Sequence, residues 1–98
     1  MINEPMIKIV RKIIDLTNEN KIQWKETWDR DYPWRIFTTV LEGKNLRLYF
    51  NEKIKLEVFN ENVCIGFPDT DDLEVLYDIV KKIFFDVDGW LKTILEKY

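Results

Sequence analysis

Asp69, Asp71 and Asp72 form the densest run of hard oxygen donors in the chain, the kind of cluster that a divalent cation needs. A second acidic stretch, Asp86-Val87-Asp88-Gly89, opens with the spacing of a calcium loop. Such a loop requires a further ligand two residues beyond Asp88 and a glutamate at its twelfth position, where this chain carries Trp90 and Lys97. Asp71 with Glu74 fits a helix capping box instead, and acidic residues near a helix start suit its dipole. Cys64, the single cysteine, lies between Val63 and Ile65 as a small packed thiol would, with no histidine to activate it. The chain has no His, no Ser and no Ala. Serine triads, Cys–His pairs, imidazole acid–base chemistry and the common zinc sites are thereby removed. Gly43, Gly66 and Gly89 are scattered, so there is no glycine-rich phosphate loop. Carboxylate-pair hydrolysis needs a deep saccharide cleft, and so short a chain with large core side chains has little volume for one. The sequence predicts no catalytic residue, no metal, no cofactor and no enzyme.

Binding chemistry is better represented. Trp24, Trp28, Tyr32 and Trp34 fall within one short segment, interleaved with Lys25, Glu26, Asp29, Arg30 and Asp31. Trp, Tyr and Arg concentrate binding energy at protein interfaces, so Trp24, Trp28, Arg30, Tyr32 and Trp34 are the expected partner-binding set. The competing role for Trp24 and Trp34 is to plug the ends of the core. A second group, Arg35, Phe37, Arg47, Tyr49, Lys55 and Phe59, is expected on the outer face of a sheet. Aromatics flanked by cations there could stack unpaired bases, or simply support one another across strands. Glu57 among them and a net charge of −3 with a pI near 5.0 weigh against nucleic acid.

The elements that must position these residues follow from periodicity. Ninety-eight residues and 12.0 kDa allow one domain, residues 1–98. Met6, Ile9, Val10, Ile13, Ile14 and Leu16 recur at helical spacing, predicting a helix over 4–19 that Asn18-Glu19-Asn20 ends. An aromatic loop is expected over 21–33. The period then falls to two, predicting strands at 34–41, 45–50, 54–59 and 63–67 joined by turns around Gly43, Glu52 and Glu61. Leu46, Leu48, Phe50, Ile54, Leu56, Val58, Val63, Ile65 and Phe67 share one side, opposite Arg47, Tyr49, Lys55, Glu57, Phe59 and Cys64. Leu73, Leu76, Tyr77, Val80, Ile83 and Phe84 give a helix over 71–86, and Trp90, Leu91, Ile94 and Leu95 a shorter one over 89–97. The expected fold is α+β: a four-stranded antiparallel meander with the N-terminal helix and one or two C-terminal helices packed on one face.

The order of features is similar to that of a group of small prokaryotic proteins of about this length. The resemblance rests on Lys21-Ile22-Gln23-Trp24 after the first helix, the Gly43 hairpin, Asn60-Glu61-Asn62, Leu76-Tyr77 and Val87-Asp88. It implies the architecture and carries no activity or site residues. Ile, Lys, Asn, Phe and Tyr make up 40 residues, the mark of an AT-rich genome. No eighteen apolar residues run together and no secretion signal opens the chain, and a single cysteine suits a reducing compartment, so a cytoplasmic protein without membrane association is expected. The expected function is a non-catalytic protein-binding module, an accessory or virus-encoded modulator of a larger partner. The alternative is a binder of a small ligand or single-stranded nucleic acid through the same aromatics. A homodimer is expected through the edge of the strand WRIFTTVL.

Overall fold

A computed structural model of the chain describes residues 4–29, 32–85 and 87–98, without the side chains of residues 28, 29, 32–34, 87 and 88. The elements run α1 (Glu4–Asn18), β1 (Lys25–Asp29), β2 (Tyr32–Leu41), β3 (Lys44–Asn51), β4 (Lys53–Phe59), β5 (Cys64–Gly66), α2 (Asp71–Phe84) and α3 (Val87–Lys97). The α+β class and the antiparallel meander are as the periodicity predicts, with the strands hydrogen-bonded in chain order β1-β2-β3-β4-β5. The sheet has five strands where four were expected, because the front of the aromatic segment is itself a strand. Lys25, Glu26 and Thr27 pair with Thr38, Phe37 and Ile36, and a register shift follows before Asp29 meets Tyr32. Its charged residues hide it from a hydrophobic period, and an edge strand tolerates charge that a central one does not. The WRIFTTVL strand is consequently interior, paired on both sides, and cannot be a dimerising edge.

Local chemistry explains the ends of the elements. Asn20 adopts φ 59°, and the amides of Asn20 and Lys21 donate to the carbonyls of Thr17 and Leu16 at 3.1 and 2.9 Å. That pair of bonds is a Schellman motif, which satisfies the last carbonyls of α1. Glu42 and Gly43 both have positive φ, 49° and 76°, the geometry of a two-residue hairpin turn. Asn60 Oδ1 accepts the amides of Asn62 and Val63 at 3.2 and 3.1 Å, folding the β4–β5 turn around one side chain. The cap of α2 is Thr70 rather than Asp71: Thr70 is extended, its carbonyl accepts the amide of Leu73, and no side chain caps the helix.

The core lies between the sheet and α1 with α2. Val10 and Ile13 of α1 meet Leu73, Leu76 and Val80 of α2 over Phe37, Leu46, Leu48 and Leu56, all but fully buried. Arg11 Nε donates to Asp72 Oδ2 at 3.0 Å and ties the two helices together at the surface. Register sets the faces of the first long strand. Phe37 opposes Leu48, which opposes Leu56, so Phe37 points toward the helices and not outward. Its ring stacks on Phe84 at 5.3 Å and meets Tyr77 edge-on at 6.0 Å. Arg35, two positions away, shares that side and pairs with Glu26 at 3.3 Å. Both residues therefore leave the expected outer face.

Of the one or two C-terminal helices expected on that face, only the first packs there. None of the described residues of α3 is buried or packed against the core. The molecule measures 53 × 31 × 26 Å with a radius of gyration of 15.1 Å, against about 12.6 Å for a compact chain of this length.

Candidate functional site

The aromatic segment does not form one surface. Trp24 is 7% exposed and belongs to the core, where its indole N–H donates to Thr17 Oγ1 at 3.1 Å. That hydroxyl donates in turn to the Ile13 carbonyl at 2.8 Å, a polar chain closed inside α1. Trp24 is thus a core plug with its polar atom occupied, not a contact residue. Arg30 lies outside the described residues, as do the side chains of Trp28, Tyr32 and Trp34.

The outer face of the sheet holds Arg47, Tyr49, Lys55 and Phe59 as expected. Arg47 and Glu57 are directly opposed on β3 and β4, and Arg47 Nε donates to Glu57 Oε1 at 2.6 Å. The guanidinium lies 5.0 Å from the Phe59 ring centre and 5.9 Å from that of Tyr49, and reaches Cys64 Sγ at 3.4 Å. The Tyr49 hydroxyl also bonds Glu57. Burial pushes the Tyr49 phenol up to about 12, reinforced by that bond. Burial on its own would raise Glu57, but the hydrogen bonds from Arg47 and Tyr49 outweigh it and hold the carboxyl below its ordinary value. These groups hold one another. With the guanidinium spread over both rings, the stacking that unpaired bases would use is already engaged. Beside this cluster is a shallow hollow of about 500 Å³, lined in part by Lys21, Lys25, Thr38, Asn45 and Phe59, and open to solvent.

The acidic residues are dispersed. Asp72 is spent on Arg11, and Asp69 lies 3.9 Å from Lys53. Among the described residues no group of three or more His, Cys, Asp or Glu could hold a metal ion. Cys64 is exposed and forms no disulfide.

Among the described residues, several of the large exposed apolar side chains fall together on α3 and the residue that follows it. Trp90, Leu91, Leu95 and Tyr98 are 61%, 47%, 82% and 95% exposed, and Ile94 is 36%. At helical spacing these five span an arc of about 140°, with Lys92, Thr93, Glu96 and Lys97 on the other side. The Tyr98 amide donates to the Ile94 carbonyl at 3.0 Å, so the helical path carries Tyr98 onto the same face. The sequence shows this stripe and leaves open whether it packs on the sheet, where one or two C-terminal helices are expected. The element count decides against it. A sheet of four or five strands is about 15–20 Å wide, and helices pack about 10 Å apart, so one face takes two helices and not three.

Neither a family model, a curated protein nor a solved structure matches the chain.

Proposed function

We propose that this chain is a non-catalytic protein-binding module whose contact surface is the exposed apolar face of α3. The observation that carries the reading is the uncovered arc of Trp90, Leu91, Ile94, Leu95 and Tyr98. Their exposed fractions amount to roughly 650 Å² of whole-residue surface, of the order of the 300–600 Å² apolar patches that on monomers are often functional. An 11-residue helix holding Gly89 in its first turn is also marginal by itself, and gains its stability from whatever covers the stripe. Lipid is a poor cover. Helices that lie on membranes carry a strongly basic polar face, whereas the α3 sequence has two acidic and two basic residues. No helix among the described residues is long and apolar enough to cross a membrane. The absence of His and Ser, and the engagement of Glu57, Asp72 and Arg47 in structural pairs, support a role without catalysis. An exposed thiol without a disulfide suits a reducing compartment such as the cytoplasm.

Photo-crosslinking in the native cell tests the reading. A benzophenone side chain at position 91 or 95 should give a discrete protein adduct, whereas one at Val40, 60% exposed on the open sheet face, should not. Equal adducts from all three positions, or adducts only with nucleic acid or lipid, would remove α3 as the binding surface.

A further inference from the structure

We infer that the protein which covers α3 is a second copy of this chain, so that the working unit is a homodimer paired through its last helices; this rests on the α3 surface proposed above. Area supplies the first argument. A stable pair of proteins buries about 800 Å² on each partner. Trp90, Leu91, Ile94, Leu95 and Tyr98 expose roughly 650 Å². Two such faces brought together amount to roughly 1,300 Å², inside the roughly 1,200–2,000 Å² of a specific interface. One patch of this size meeting its own copy about a two-fold axis closes a standard interface from a single set of residues.

Charge supplies the second argument. The chain as a whole carries −3, which opposes self-association, yet the charges of α3 cancel within the helix. A foreign partner of opposite charge would have no field to recognise there, whereas a copy meets no repulsion. Two such helices packed antiparallel also set the positive end of each backbone dipole beside the negative end of the other.

Light scattering of the purified chain at high micromolar concentration should give twice the 12.0 kDa of one chain. Leu91→Glu combined with Leu95→Glu should halve that mass while leaving the near-ultraviolet dichroism of the core unchanged, and Trp90→Ala alone should weaken self-association at least tenfold. Val40→Glu should remain dimeric. A dimer that survives the double substitution would place the interface elsewhere and overturn the inference. A monomeric wild type whose position 91 still crosslinks to a foreign protein would overturn self-pairing and leave α3 as a binding surface. A monomer without any adduct would overturn both.

Discussion

α2 and α3 are helices of similar length and similar amphipathic pattern, and they meet opposite fates. α2 buries Leu73, Leu76 and Val80 at 1%, 0% and 0% exposure against the sheet and α1. α3 leaves Trp90 and Leu95 largely in solvent. The difference is one of available surface and not of sequence pattern. Once α1 and α2 lie over the sheet, the helix-bearing face has no further width to offer, so an equally apolar stripe is left exposed. An amphipathic period states that a helix will be covered on one side. It does not state by whom.

The contrast can be broken most directly at Phe37. Its ring is fully buried and stacks on Phe84, so Phe37→Ala should cost about 3–5 kcal/mol, a large share of the stability of a chain this size. A denaturation midpoint within about 0.5 kcal/mol of wild type would show that the ring is not the core of the α2 contact. Trp24→Phe keeps most of the apolar bulk but removes the indole donor to Thr17 Oγ1, whose own bond to the Ile13 carbonyl remains, and should cost about 1–2 kcal/mol by the same measurement. An unchanged midpoint there would mean that the indole hydrogen bond is not maintained in solution.

The outer face sharpens the comparison through pH. Tyr49 favours its neutral form in the fold, so its contribution is present below the ordinary phenol value and is lost as pH climbs from about 10 toward about 12. Glu57 behaves in the opposite sense. Its contribution is present above the ordinary carboxylate value and fades as pH falls through its depressed one. Burial raises Tyr77 as well, so ultraviolet titration should show more than one late-ionising phenol, of which Glu57→Gln shifts only that of Tyr49 earlier, and the same variant should flatten the acid limb of the stability curve. A phenol titration unaffected by Glu57→Gln would mean the two groups are not coupled. The smallest expected effect is at Trp90. At dilutions where the chain is monomeric, Trp90→Ala should change stability by no more than about 0.5 kcal/mol, even though it removes the larger side chain. A loss comparable to that of Phe37→Ala would mean that α3 folds back onto its own body.

Much of this was legible in the residue order. The alternation of Leu46, Leu48, Leu56 and Val58 against Arg47, Lys55 and Glu57 set the faces of β3 and β4 correctly, because a one-residue slip would expose every leucine. The Asn20 cap and the Glu42-Gly43 turn were readable from their tolerance of positive φ. β1 was not readable, since Lys25, Glu26 and Asp29 at a sheet edge are held by backbone pairing with β2 and leave no apolar period. Arg35 and Phe37 were set on the wrong face because both sides of that strand are partly apolar: Ile36 is buried as well as Phe37, so composition could not choose between them. The exposure of α3 was not readable for a related reason. Trp90, Leu91 and Leu95 carry the same signal whether their cover belongs to this chain or to another.

The strict chain-order meander bears on how the molecule comes together in time. Every strand pairs with its immediate neighbour in sequence, so the sheet can grow by successive local hairpins, each closing only a short loop. The joining of α1 to α2 is different in kind: the Arg11–Asp72 pair spans 61 residues, and that contact forms against a far larger entropy of closure. The sheet should therefore be largely assembled at the folding barrier while the helix pair docks after it. Substitutions at Leu48 should slow folding, and substitutions at Ile13 should chiefly hasten unfolding. Stopped-flow kinetics on those two positions would reverse that order only if the helices, and not the hairpins, nucleate the chain.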